Sequence, residues 1–111
     1  MMFPTLRLIR TLKDAGYSVD KVEPRDSDII PSKWVVIRDN TVVAELKKYS
    51  LAQAPAIDIY DTPRREELTD LSKGYHSGLR IIGEAAPTSY TKRGLFCDKT
   101  IDLKPKATEA Q

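Results

Sequence analysis

Cysteine, histidine and tryptophan each occur once in the 111 residues, as Cys97, His76 and Trp34, and glycine occurs only five times. A lone cysteine excludes an intrachain disulfide and a cysteine-rich zinc site, and it fits a reducing compartment. A lone histidine has no ligand partner at metal spacing, so His76 reads as a surface or hydrogen-bonded side chain. No apolar run approaches the ~18 residues of a membrane-spanning helix, and Arg7 and Arg10 break up the N-terminal apolar stretch, so no membrane partner and no signal peptide are expected. Charge of one sign is scarce as well: 18 basic against 16 acidic residues leave +2, too little to announce a polyanion binder by composition. The expectation is one cytoplasmic domain, residues 1–103, followed by a polar, proline-bearing and disordered tail, 104–111.

The stretch SKWVVIRDNTVVAELKKYS, residues 32–50, sets two β-branched runs on either side of Asp39 and Asn40 and reads as a β-hairpin. A regular two-residue turn pairs Ile37 with Val42, Val36 with Val43, Val35 with Ala44 and Trp34 with Glu45. Alternation then puts Val35, Ile37, Val42, Ala44 and Leu46 on a core face. The opposite face holds Trp34, Val36, Arg38, Val43, Glu45 and Lys47, and is either covered by another element or used for contact.

Around the hairpin, residues 1–16 carry Leu6, Leu8, Ile9, Leu12 and Ala15 in one helical stripe that stops at Gly16. Residues 17–23 alternate as a first strand, and AIDIY, residues 56–60, as another short one. Thr62 and Pro63 suit a helix start, and Asp58 and Asp61, which could bind a cation, read in preference as caps of that helix. The apolar positions Leu68, Leu71, Tyr75, Leu79 and Ile82 extend as one long helix, or the helix ends near Lys73 and residues 79–82 form a strand, since Gly74 and Gly78 each cost a helix about 1 kcal/mol. Residues 89–103 read as a terminal hairpin turning at 92–94, with Leu95, Cys97, Ile101 and Leu103 inward. The fold class is α+β: a small mixed or antiparallel sheet of three to five strands centred on the hairpin, residues 33–48, with two main helices.

Two motifs carry chemistry. Glu45 and Lys47 lie two apart on one strand and so project from one face, and Asp28 precedes the other strand of the hairpin. With SDII at 27–30 and VVAELKK at 42–48, this resembles the core of the PD-(D/E)XK nuclease superfamily, although the residue before Asp28 is serine rather than proline and PSKW is inserted before the hairpin. The resemblance implies a metal-dependent nuclease or a nuclease-like nucleic-acid-binding protein. Asp28 and Glu45 would hold Mg²⁺, and Lys47 would position or activate the attacking water. Arg38, Lys48, Lys92 and Arg93 would meet the nucleic acid. Read from the residues alone, the same charges also fit an edge strand that repels wrong pairing. The alternative class is a non-catalytic interaction module, a small subunit or inhibitor or one half of a homodimer, with Trp34, Val36 and Val43 as its contact patch.

Overall fold

Asp39 and Asn40 both take the left-handed conformation, φ 57° and 58°, and close a tight turn between β2, Ser32–Arg38, and β3, Thr41–Lys48. Both residue types tolerate positive φ, and two such residues in succession match the right-handed twist of the strands. The computed structural model describes residues 4–22, 32–48, 54–92, 97 and 99–103. Asp28, Arg93, Leu95 and the 104–111 tail lie outside the described residues.

The first helix, α1, Pro4–Asp14, buries Thr5, Leu8 and Leu12 and leaves Leu6, Arg7, Arg10 and Lys13 exposed. It ends in a Schellman motif. Gly16, at φ 102°, gives its N–H to the Lys13 carbonyl at 3.0 Å, and the Tyr17 N–H reaches the Leu12 carbonyl at 3.0 Å. Only a residue without a Cβ adopts that conformation at little cost. The chain then enters β1, Ser18–Val22, antiparallel to β2. Beyond the hairpin, β4, Ala56–Ile59, pairs antiparallel with β3. A 3-10 turn, Thr62–Arg64, leads into α2, Arg65–Ser72, whose first turn carries Glu66 and Glu67.

The short helix is the correct alternative. Gly74 takes φ 85°, and β5, Gly78–Ile81, returns parallel to β4, the crossover that a parallel pair requires. Finally β6, Ser89–Lys92, and β7, Lys99–Asp102, pair with each other, and β6 touches β1 through Val22 opposite Lys92. Among the described residues the result is an α+β fold with an open, mixed, seven-stranded sheet in the order β5-β4-β3-β2-β1-β6-β7. The sheet is larger than the expected three to five strands because the first strand, the central hairpin, β4, β5 and the terminal hairpin all join one sheet. Cys97 is exposed rather than inward, and Lys92 lies opposite Lys99, a pairing that differs from a tight turn at 92–94.

The hairpin register departs from regular alternation at one residue. Ile37 opposes Val42 as expected, but the register shifts between Val36 and Ile37, so that Val36 opposes Ala44, Val35 opposes Glu45 and Trp34 opposes Leu46. Val43 is the extra residue of a β-bulge, and a bulge exchanges the faces of everything beyond it. Ala44 and Leu46 therefore join Trp34 and Val36 under the helices. There, with Leu8, Leu12, Leu68, Ile57, Ile59 and Val43, they form the main core. Val35, Ile37 and Val42 lie on the other face with Val22 and Tyr90. That second face is also where Glu45 and Lys47 emerge.

Candidate active site: a carboxylate pair on the second face

Register brings a partner to Glu45 from the following strand. Asp58 on β4 lies directly opposite it, and Arg80 on β5 lies opposite Asp58, so Val35, Glu45, Asp58 and Arg80 make one cross-strand row. Asp58 reaches this face because Ile57 and Ile59 on either side of it are taken by the core beneath the helices. It is a sheet residue rather than a helix cap. Asp61 does precede the 3-10 turn, but its side chain makes no capping bond and accepts from the Arg64 Nε at 3.1 Å.

Both carboxylates are 3% exposed. Like charges placed opposite one another on adjacent strands repel, and burial removes the water that would shield them. Three cations hold the pair. Lys33 Nζ lies 3.3 Å from Glu45 Oε2, and Lys47 Nζ lies 3.0 Å from Asp58 Oδ2. Arg80 forks onto Asp58, donating from Nε to Oδ1 at 3.1 Å and from a terminal nitrogen to Oδ2 at 3.2 Å. The Tyr60 hydroxyl donates to Glu45 Oε1 at 3.1 Å. Burial, together with the Glu45 charge and hydrogen bond, pushes the Tyr60 phenol up to about 12. It therefore remains a donor throughout the neutral range.

Burial alone would raise the Asp58 carboxyl, but the hydrogen bonds and charges of Arg80 and Lys47 outweigh it, and the group sits below its ordinary value. The stabilisation is then fully present above the unfolded value of about 3.9 and is lost as pH falls through the lower folded value. Asp58→Asn is expected to cost about 2 kcal/mol at neutral pH. This is less than a fully buried pair would lose, because Arg80 is 70% exposed and screened by water. Urea melts of both proteins should show the gap shrinking as the pH is lowered below the carboxylate range; an equal gap at neutral and acid pH would contradict the assignment.

The row opens to solvent. A cleft of about 430 Å³ is lined by Lys47, Asp58, Tyr60, Arg80 and residues 81–84. In donor chemistry the pair fits a hard divalent cation, since Mg²⁺ is held by one or two carboxylates with water completing its shell. Lys33 and Lys47 now hold those oxygens, and both are long, partly exposed side chains, 37% and 28%, able to swing aside. Among the described residues no three acidic, histidine or cysteine side chains come together. Glu45 and Asp58, directly opposed, could supply two carboxylates to such a cation.

Glu45 and Lys47 do share a face, on a central strand rather than an edge. Arg38 is drawn to the helix side, its guanidinium 5.0 Å from the Tyr17 ring centroid and donating to the Ala15 carbonyl at 3.2 Å. Lys48 ends β3 half-buried, and by alternation faces with Leu46. Lys92 is exposed on the carboxylate-bearing face, 3.6 Å from Asp20. Val36 and Val43, 0% and 1% exposed, are core residues, and Trp34 packs against the same core while Lys21 Nζ sits 5.7 Å from its ring centroid. Asp58 is a candidate cation ligand from the sequence, but its grouping with Glu45, Arg80 and Tyr60 was missed. The available signal was Ile57-Asp58-Ile59, where period-two alternation isolates the acid from two apolar neighbours.

No helix among the described residues is long and apolar enough to cross a membrane. Comparison with protein-family models, with curated proteins and with solved structures finds no match.

Proposed function

We propose that the chain is a small metal-dependent nuclease or nuclease-like nucleic-acid-binding protein, with Glu45 and Asp58 as its carboxylate pair and Lys47 beside them. The observation that carries this reading is the direct opposition of two buried carboxylates on neighbouring strands, in an open cleft on a face with Lys47 and Arg80. Buried ion pairs return little stability for their desolvation cost, so two opposed carboxylates held by Lys33, Lys47 and Arg80 are an arrangement that a site needs more than packing does. The reading keeps the Glu-x-Lys strand of the PD-(D/E)XK resemblance but takes its second acid from β4, after that strand, instead of from Asp28 before it.

In this reading a bound Mg²⁺ would polarise a phosphodiester and lower the pKa of its water. Glu45 and Asp58 would supply the ligand oxygens. Lys47, released from Asp58, would position the attacking water or balance charge on the phosphate, and Arg80 would hold a phosphate oxygen at the cleft mouth. Tyr60 would keep the Glu45 carboxylate oriented through its hydrogen bond. The interaction-module alternative lacks a comparable support, because Val36 and Val43 face the chain's own core.

The test is cleavage of labelled single-stranded DNA and RNA with millimolar Mg²⁺ or Mn²⁺, against a chelated control. Strand scission that needs the metal supports the reading. Intact oligonucleotides of every type, with no binding at low salt, would overturn it.

A further inference from the structure

The register that builds the acidic row builds a basic one beside it. Lys99 on β7 lies opposite Lys92 on β6, Lys92 opposite Val22 on β1, Val22 opposite Lys33 on β2, and Lys33 opposite Lys47 on β3. Directly opposed residues share a face, so four lysines stand in one file across five strands. At about 4.8 Å per strand the file is roughly 19 Å long. Lys92 and Lys99 are exposed, and Lys33 and Lys47 are partly so. Beyond Lys47 the same row continues with Ala56 and Gly78, opposite one another. Neither offers a side chain of any height, and a Cβ at Gly78 would meet nothing within 4 Å. The file therefore runs into a cleft of about 610 Å³ lined by Lys47, Asp58, Ser77 and Arg80.

We propose that this lysine file is the track of a single nucleic-acid strand, with its phosphates over Lys99, Lys92, Lys33 and Lys47 and its chain delivered to Glu45 and Asp58. The proposal rests on the nuclease reading for the chemistry at the end of the track, but the track itself is a matter of charge. One file of point charges complements one file of phosphates. The adjoining positions carry Asp20, Glu45 and Asp58, which would repel the second phosphate file of a duplex. The row crosses the strands nearly at right angles, so a bound strand meets one lysine from each of four different strands and is not confined to one element's flexibility. Binding draws Lys33 and Lys47 toward phosphate and away from Glu45 and Asp58, which frees the carboxylate oxygens as substrate arrives.

The experiment is anisotropy of a fluorescent single-stranded oligonucleotide in EDTA, where no cleavage occurs, across a salt series. Four phosphate contacts at about 0.7 each give a slope of log affinity on log salt near −3 for the wild type. The Lys92→Gln/Lys99→Gln double variant should fall to about −1.5 and bind tenfold or more weakly at low salt. Lys13→Gln, on the exposed side of α1, should match the wild type. Both altered lysines are exposed, and a thermal melt confirms that the double variant is folded. If it binds as tightly as wild type with an unchanged slope while the wild type still cleaves, the track is wrong and the nuclease reading stands. Duplex bound as tightly as single strand would overturn the single-strand assignment, no binding by a wild type that still cleaves would overturn the track alone, and neither binding nor cleavage would overturn both proposals.

Discussion

Glu45→Gln is expected to reduce metal-dependent cleavage by on the order of a hundredfold or more, the scale on which one preorganised electrostatic group contributes to a site. The substitution keeps the size of the side chain, and its amide oxygen still accepts from Tyr60. What it removes is the negative charge that Lys33 now balances at 3.3 Å. Lys33 is 37% exposed and can turn to solvent, so the stability cost should be only about 1 kcal/mol. Activity and stability are therefore expected to separate. A thermal melt within a few degrees of wild type, paired with near-complete loss of cleavage, is the predicted combination. Cleavage retained at wild-type rate would remove Glu45 from the chemistry.

Leu46→Ala is expected to cost about 2–5 kcal/mol, a large part of the total stability of a domain this size. Leu46 is fully buried between Trp34 on β2 and Ile57 on β4, beneath the helices. A double-mutant cycle adds the register to the test. With the bulge at Val43, Leu46→Ala and Trp34→Phe are cross-strand neighbours and should couple by about 0.5 kcal/mol or more. In a regular hairpin Trp34 would face Glu45 instead, and the two substitutions would add. Urea denaturation of the four proteins decides between them.

That register also marks where the sequence stops being readable. Asp39 and Asn40 announce their turn, because few residue pairs accept two positive φ angles in succession, and Ile37 opposite Val42 follows directly. The bulge is silent. Val42, Val43 and Ala44 are all apolar, so the alternation has no phase across them and either register satisfies the pattern. The information lies one step later, where Glu45-Leu46-Lys47 alternates cleanly and can be placed only once the bulge is known. Glu45 and Lys47 were legible as a pair because spacing of two survives any register. Their relation to Asp58 was not, because it depends on which strand lies beside β3. The sequence Ile57-Asp58-Ile59-Tyr60-Asp61-Thr62-Pro63 reads equally well as the approach to a helix cap. The ambiguity after Lys73 was visible in Gly74 and Gly78, and only the pairing of β5 with β4 settles it. The lysine file is a property of pairing alone: its four members lie on four strands and share no local motif.

Glu45 and Asp58 are proposed to form one cation site on the face opposite the helices. Mn²⁺ titration followed by amide NMR tests it most directly, since a paramagnetic ion broadens the signals nearest to it. Broadening that begins at residues 44–47 and 57–60, and that Asp58→Asn abolishes, is the predicted result. Broadening that instead centres on exposed acids such as Glu66 and Glu67, leaving 44–47 and 57–60 sharp, would contradict it.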